Sequence, residues 1–144
     1  MAVVVVSACL LGCECRYKGD GQKNDALLEA LKGHTIIPVC PEQMGGLPTP
    51  RDPSEIVGDK LISSKGKDVT FEYNKGAQTA LYLAKMANAD FAVMKANSPS
   101  CGKGIIYDGT FSGNKIEGNG VTVKLFLENN IPVYTENEID KLPL

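Results

Sequence analysis

Four consecutive valines, Val3–Val6, open an alternation of short β-branched runs and helix-patterned segments, and that alternation constrains the fold more than any other feature of the chain. β-Branched side chains suit a pleated surface, and an unbroken apolar run reads as a strand buried on both faces. Val3–Ser7 is therefore the first strand. Asp25–Lys32 follows as a helix, with Asn24 as its N-cap, Leu27, Leu28 and Leu31 on one face and Gly33 as its left-handed stop. Thr35–Val39 is the second strand. Val69–Ala87 reads as the longest helix, capped near Asp68 or Thr70, with Tyr73, Ala77, Ala80, Leu81 and Ala84 in its apolar stripe. Phe91–Lys95 is the third strand, Val121–Asn129 a further helix and Pro132–Tyr134 the last strand. The capping-box pattern Thr135-Glu-Asn-Glu138 predicts a short terminal helix.

Strands alternating with helices predict an α/β fold of three layers. It is a doubly wound, mostly parallel sheet, flavodoxin-like or half-Rossmann, with long Gly/Pro-rich loops at the carboxyl edge of its strands. The loops are residues 40–67, read as functional with a small hairpin, and 96–119, with a short apolar piece at Ile105–Tyr107. At 144 residues the chain is expected to form one domain, 1–144. A net charge of −2 with thirteen scattered lysines gives no basic stripe, which argues against a nucleic-acid polymer as partner. The apolar N-terminus is too short and lacks the basic start expected of a signal peptide or membrane span, so no membrane association and a cytoplasmic location are expected.

Five cysteines in a reducing compartment point to metal or reactivity rather than disulfides. Cys9 lies just past strand one, Cys40 at the end of strand two and Cys101 shortly after strand three. The carboxyl ends of parallel strands share one edge, so all three should meet there, where ligands bind in open α/β sheets. Soft thiolates select zinc, copper(I) or an iron–sulfur cluster. Cys15 is a possible fourth ligand or redox thiol, and Cys13 a loop residue. A closed zinc or redox-sensing thiol site without turnover is the alternative to catalysis.

Arg16 and Arg51 are the only arginines, and each offers a planar fork for substrate recognition or for internal pairing; Asp52 and Glu55 are the expected partners. Ser98 and Ser100 precede Cys101 and can act on substrate or close a turn. Phe111 can stack on a planar ring or pack in a core. Glu42, two residues after Cys40 in a Pro-fixed turn, should lie near the metal as a proton-transfer group or a capping carboxylate. His34, with no second histidine, reads as a surface residue.

Eight motifs occur in order: Ser7-Ala-Cys9-Leu-Leu-Gly12, Cys15-Arg16-Tyr17, Val39-Cys-Pro-Glu42, Gly45-Gly-Leu-Pro-Thr-Pro-Arg51, Asp68-Val-Thr70, Lys95-Ala-Asn-Ser-Pro-Ser-Cys-Gly102, Tyr107-Asp-Gly-Thr-Phe-Ser-Gly113 and Gly118-Asn-Gly-Val-Thr122. Together they resemble the bacterial domain-of-unknown-function family that contains the thiouracil desulfurases, over nearly the whole chain. The resemblance implies an oxygen-sensitive [4Fe–4S] cluster on Cys9, Cys40 and Cys101, with one iron left for the sulfur of a small thiolated substrate such as a thiopyrimidine. It further implies non-redox C–S cleavage by addition of water, with Glu42 and Ser98 in the motifs that serve proton transfer. Cys13 departs from the family pattern.

Overall fold

The computed structural model describes residues 1–144. Its central sheet has four strands, β1 (Val3–Ser7), β2 (Thr35–Val39), β5 (Phe91–Met94) and β8 (Val133–Thr135), in the order β2-β1-β5-β8 with every pairing parallel. β1 lies between β2 and β5, with Val4 opposite both Ile36 and Phe91. The chain leaves β1 in one direction to form β2 and returns on its other side as β5. The switch point of this doubly wound sheet thus falls at the carboxyl end of β1.

Alternation along β1 separates the two cores. Val4 and Val6 face one side, where they pack with Leu27 and Leu31 of the α1 region (Asp25–Ala30) and with Phe91 and Val93. Val5 faces the other side, among Ala80 and Ala84 of α3 (Thr70–Met86), Phe126 of α4 (Val121–Glu128), Ala92 and Met94. The three valines are fully buried, each contributing about 1.5–3 kcal/mol of apolar transfer. The layers are therefore α1, sheet, and α3 with α4, which is the three-layer α/β arrangement expected. No helix is long and apolar enough to cross a membrane.

Local signals act where the sequence places them. The Asn24 side chain accepts from the Leu27 amide at 2.9 Å, and Asp68 accepts from the Thr70 amide at 2.9 Å at the start of α3. His34 caps the edge of the sheet instead of standing free: its Nδ1 accepts from the Ala2 amide at 2.8 Å. The terminal segment differs in kind from the expectation. Glu138 does reach back to the Thr135 amide at 3.1 Å, as a capping box does, but only a 3₁₀ turn, Ile139–Lys141, follows. Only four residues, Ile139–Leu142, separate Glu138 from Pro143, and the residue before a proline is itself turned away from helical backbone.

Both long loops hold secondary structure. Residues 40–67 contain the one-turn helix α2 (Pro41–Met44) and the hairpin of β3 (Ser54–Val57) with β4 (Lys60–Ser63). The apolar piece Ile105–Tyr107 is β6, paired antiparallel with β7 (Lys115–Glu117). α2 sits directly against α3: a Cβ on Gly45 would overlap the Glu72 carbonyl, and one on Gly76 would overlap the Pro41 carbonyl. The close approach at Gly45 is thus made to a helix, and it fixes α2 at the mouth of the sheet edge.

Candidate metal centre and active site

Ser7, Cys9, Cys40 and Cys101 line one cavity of about 500 Å³ at the carboxyl edge of β1, β2 and β5. Its size falls within the usual range for a small-molecule site. β1 ends at Ser7 and runs straight into a 3₁₀ turn, Ala8–Leu11, which carries Cys9; Gly12, at φ 103°, closes that turn with its amide on the Cys9 carbonyl at 3.2 Å. Only glycine adopts this left-handed conformation without strain. Cys40 is the N-cap of α2, so the end of β2 and the start of the helix fix it together. Cys101 follows β5 in a turn whose Ser98 Oγ accepts from the amides of Ser100 (3.1 Å) and Cys101 (3.0 Å). The convergence expected from strand order is present.

Cys15 joins this group. It is buried and lines the cavity, and its carbonyl accepts from the Cys40 thiol at 3.7 Å. Cys13 is exposed and stands apart from the cavity. Contact with Cys40 pulls the Cys15 thiol down, but hydrogen bonding to Cys9, burial and the neighbouring thiols outweigh it and push the group up to about 11. Cys40 is raised by its hydrogen bond with Cys15 and by burial, against the opposing Gln43 amide. Burial pushes Cys101 up to about 12, although hydroxyls of Ser7 and Ser100 favour its thiolate. Such thiols are protonated at neutral pH and lose their protons when they bind metal.

The donor set fits an iron–sulfur cluster. No three His, Cys, Asp or Glu side chains stand at the spacing of a single metal ion. Cys9, Cys40 and Cys101 all line one cavity, and thiolates are the ligands such clusters take.

Glu42, on α2, lines the same cavity. Its Oε1 accepts from Arg51 Nε at 3.0 Å and from the Tyr73 hydroxyl at 2.8 Å, whereas Oε2 makes no hydrogen bond within the chain and is not buried. Arg51 also donates to the carbonyls of Cys15 (2.9 Å) and Pro48 (3.2 Å). Its ion-pair partner is thus Glu42, not Asp52 or Glu55, because the Gly-Pro loop folds Arg51 back over α2. Burial lowers the Arg51 guanidinium, but the Glu42 charge and hydrogen bond outweigh that and raise it. Burial and the Glu42 charge raise the Tyr73 phenol, which stays a donor.

Ser98 faces the cavity, but Ser100 does not. The Ser100 side chain is fully buried and shares a 2.8 Å hydrogen bond with Thr122 of α4. The expectation that Ser100 contacts substrate is therefore corrected: the turn that exposes Ser98 turns Ser100 inward. Arg16 lines the cavity while Nη1 holds both oxygens of Asp20 at 3.2 Å. Phe111 also lines it, half-exposed, at φ 57°, a strained conformation for an aromatic residue. Glu55 holds that turn, accepting from the amides of Gly109 (3.0 Å) and Phe111 (3.2 Å).

Sequence reasoning missed three supports. Tyr73 reads as core in a helical stripe, and its buried hydroxyl, which must find a partner, was the available signal. Ser7 accepts from the Lys95 amide at 2.9 Å and so ties β1 to the loop carrying Ser98 and Cys101. Glu136 takes the Ala96 amide (2.8 Å) and the Lys95 ammonium (2.9 Å), which fastens the same loop from beyond β8. No local pattern marks either residue as a partner of this loop.

A family model described as 2-thiouracil desulfurase matches residues 4–138. The chain is 41% identical over 150 residues to the uncharacterized protein YbbK of Bacillus subtilis (strain 168), covering 97% of this chain and 99% of that protein. It also resembles a solved structure described as the [4Fe-4S]-dependent thiouracil desulfidase TudS, at a TM-score of 0.93 and 41% identity, over 99% of this chain and 95% of that one. With nearly every residue aligned in sequence and in space, the chain belongs to the 2-thiouracil desulfurase family.

Proposed function

We propose that the protein is a [4Fe–4S]-dependent desulfurase that cleaves the C–S bond of a small thiolated heterocycle, 2-thiouracil being the first candidate. The reaction replaces sulfur by oxygen from water without net oxidation: a thiocarbonyl and water become a carbonyl and hydrogen sulfide. The observation that carries this reading is the meeting of Cys9, Cys40 and Cys101 with Glu42 and Ser98 around one cavity. Family membership and the likeness to TudS support the cluster and the chemistry.

Cys9, Cys40 and Cys101 would hold the cluster, which when bound supplies a Lewis-acidic iron to polarise the C–S bond. The remaining work falls to the chain. Glu42, whose Oε2 has no partner in the chain, takes the proton of the attacking water. Two amides donate to Ser98 Oγ, which polarises its own O–H and leaves that hydrogen for the substrate ring. Phe111 offers a flat apolar wall against which a heterocycle can lie. Arg16 remains a candidate for the substrate's polar rim.

Anaerobic purification followed by iron and sulfide analysis tests this directly. A brown protein with about four irons and four labile sulfides per chain is expected, releasing sulfide and uracil from 2-thiouracil. Cys9→Ser, Cys40→Ser and Cys101→Ser should each lose both colour and turnover. Colourless anaerobic protein lacking iron and inorganic sulfide would refute the reading.

A further inference from the structure

We infer that Tyr73 is a positioning residue that decides which oxygen of Glu42 acts on the substrate, an inference that rests on the acid–base role proposed for Glu42. A carboxylate has two equivalent oxygens, and a freely rotating one would present either. Here the two are made unequal. The Tyr73 hydroxyl (2.8 Å) and Arg51 Nε (3.0 Å) both bind Oε1, leaving Oε2 without a partner in the chain and not buried, on a residue that lines the cavity.

The groups that hold Oε1 are themselves packed or hydrogen-bonded. Tyr73 is 1% exposed and belongs to the longest helix, packed with Leu61 and Val69. Arg51 directs three of its other four N–H donors to the Pro48 and Cys15 carbonyls and the Thr49 hydroxyl. α2, which carries Glu42, is seated on α3, which carries Tyr73, at the paired notches Gly45 and Gly76. The close approach of the two helices fixes the backbones that carry the phenol and the carboxylate relative to each other. Arg51 alone would neutralise the carboxylate yet could fork across both oxygens, as guanidinium groups commonly do. The phenol, approaching from α3, holds Oε1 in one place and so fixes the direction of Oε2. A misplacement of about 1 Å in such a group can cost ~10²-fold in rate.

The test uses anaerobically reconstituted holoenzyme with 2-thiouracil as substrate. Tyr73→Phe should lower kcat about 10- to 100-fold while KM stays within about twofold, with iron and sulfide content unchanged. The double variant Tyr73→Phe/Glu42→Gln should be no slower than Glu42→Gln alone, because the phenol acts only through the carboxylate. A purely structural tyrosine would give losses that multiply, and that result overturns the inference, as does a Tyr73→Phe enzyme with undiminished kcat. A crystal structure of the unmutated enzyme with uracil bound gives a check independent of variant folding: Oε2 should lie about 3 Å from the ligand or its water, and Oε1 in that place would overturn the inference. A fully loaded wild-type enzyme that leaves 2-thiouracil intact would sink the proposed function and this inference with it. An active wild type with an equally active Tyr73→Phe sinks only the inference.

Discussion

Ser98 and Glu42 are exposed to the cavity by different means, and their substitutions should behave differently. The Ser98 oxygen also closes the turn that presents Cys101. Ser98→Ala removes both the proposed proton donor and two acceptor contacts, so kcat should fall about 10²-fold, and the Cys101 loop should loosen by about 1 kcal/mol in urea unfolding. Ser98→Thr keeps the oxygen and should restore the stability. Arg51 is 6% exposed on its side chain and Glu42 16%, so their ion pair is largely desolvated. Removing one partner strands the other charge; Arg51→Ala should cost about 3 kcal/mol, read as a lower urea midpoint with unchanged slope. Arg51→Lys should recover only part of that, because an ammonium cannot serve the Glu42, Pro48 and Cys15 oxygens together.

At the scale of elements, the site depends on a four-residue helix that could not stand alone, since one turn leaves most of its amides and carbonyls without helical partners. α2 persists because α3 receives it at Gly45 and Gly76. Gly76→Ala suits the intrinsic preference of an α-helix, where alanine is favoured over glycine by about 1 kcal/mol. The added methyl nonetheless meets the Pro41 carbonyl, and overpacking of this kind costs about 1–3 kcal/mol. Net destabilisation by thermal or urea unfolding, together with reduced cluster retention, is the expected outcome, because Cys40 caps the displaced helix. An alanine variant as stable as the parent would show that α2 has room to move. The hairpins β3–β4 and β6–β7 act as walls rather than core: Glu55 of the first holds the Gly109–Phe111 turn of the second. Glu55→Gln, which keeps one acceptor oxygen, should raise KM less than Glu55→Ala does.

Across the whole molecule, the loop bearing Cys101 is held from the far end of the chain. Lys103 bridges both oxygens of Glu138 at 3.1 and 3.2 Å, while Glu138 also accepts from the Thr135 amide. Partial burial works against the Glu138 charge, but the Thr135 amide and Lys103 outweigh it and hold its pKa below the ordinary 4.5. A carboxyl lowered in the folded state stabilises that state above its unfolded pKa, and the contribution disappears as pH falls through the lowered value. At pH 7, Glu138→Gln should therefore be less stable than the parent by no more than about 1 kcal/mol, since the pair is partly exposed. The difference should begin to shrink below pH 4.5 and vanish once the pH has fallen through the lowered value, and a gap that persisted in stronger acid would show a packing effect instead.

Much of this was legible in the sequence because it depends on short-range rules. β-Branched runs made strands, Asn24 capped its helix, and parallel strand ends carried Cys9, Cys40 and Cys101 to one edge. Sequence also limited where ligands could bind, since crossover connections leave a single switch point. It could not choose Glu42 as the partner of Arg51 over the nearer Asp52 and Glu55, nor separate inward Ser100 from outward Ser98. Those outcomes were decided when α2 docked on α3 and the Ser98 turn met α4. Tyr73 and Glu136, far from the cysteines in sequence, became part of the site for the same reason: a side chain's partner follows from which backbones come into contact, and that is settled only by tertiary packing.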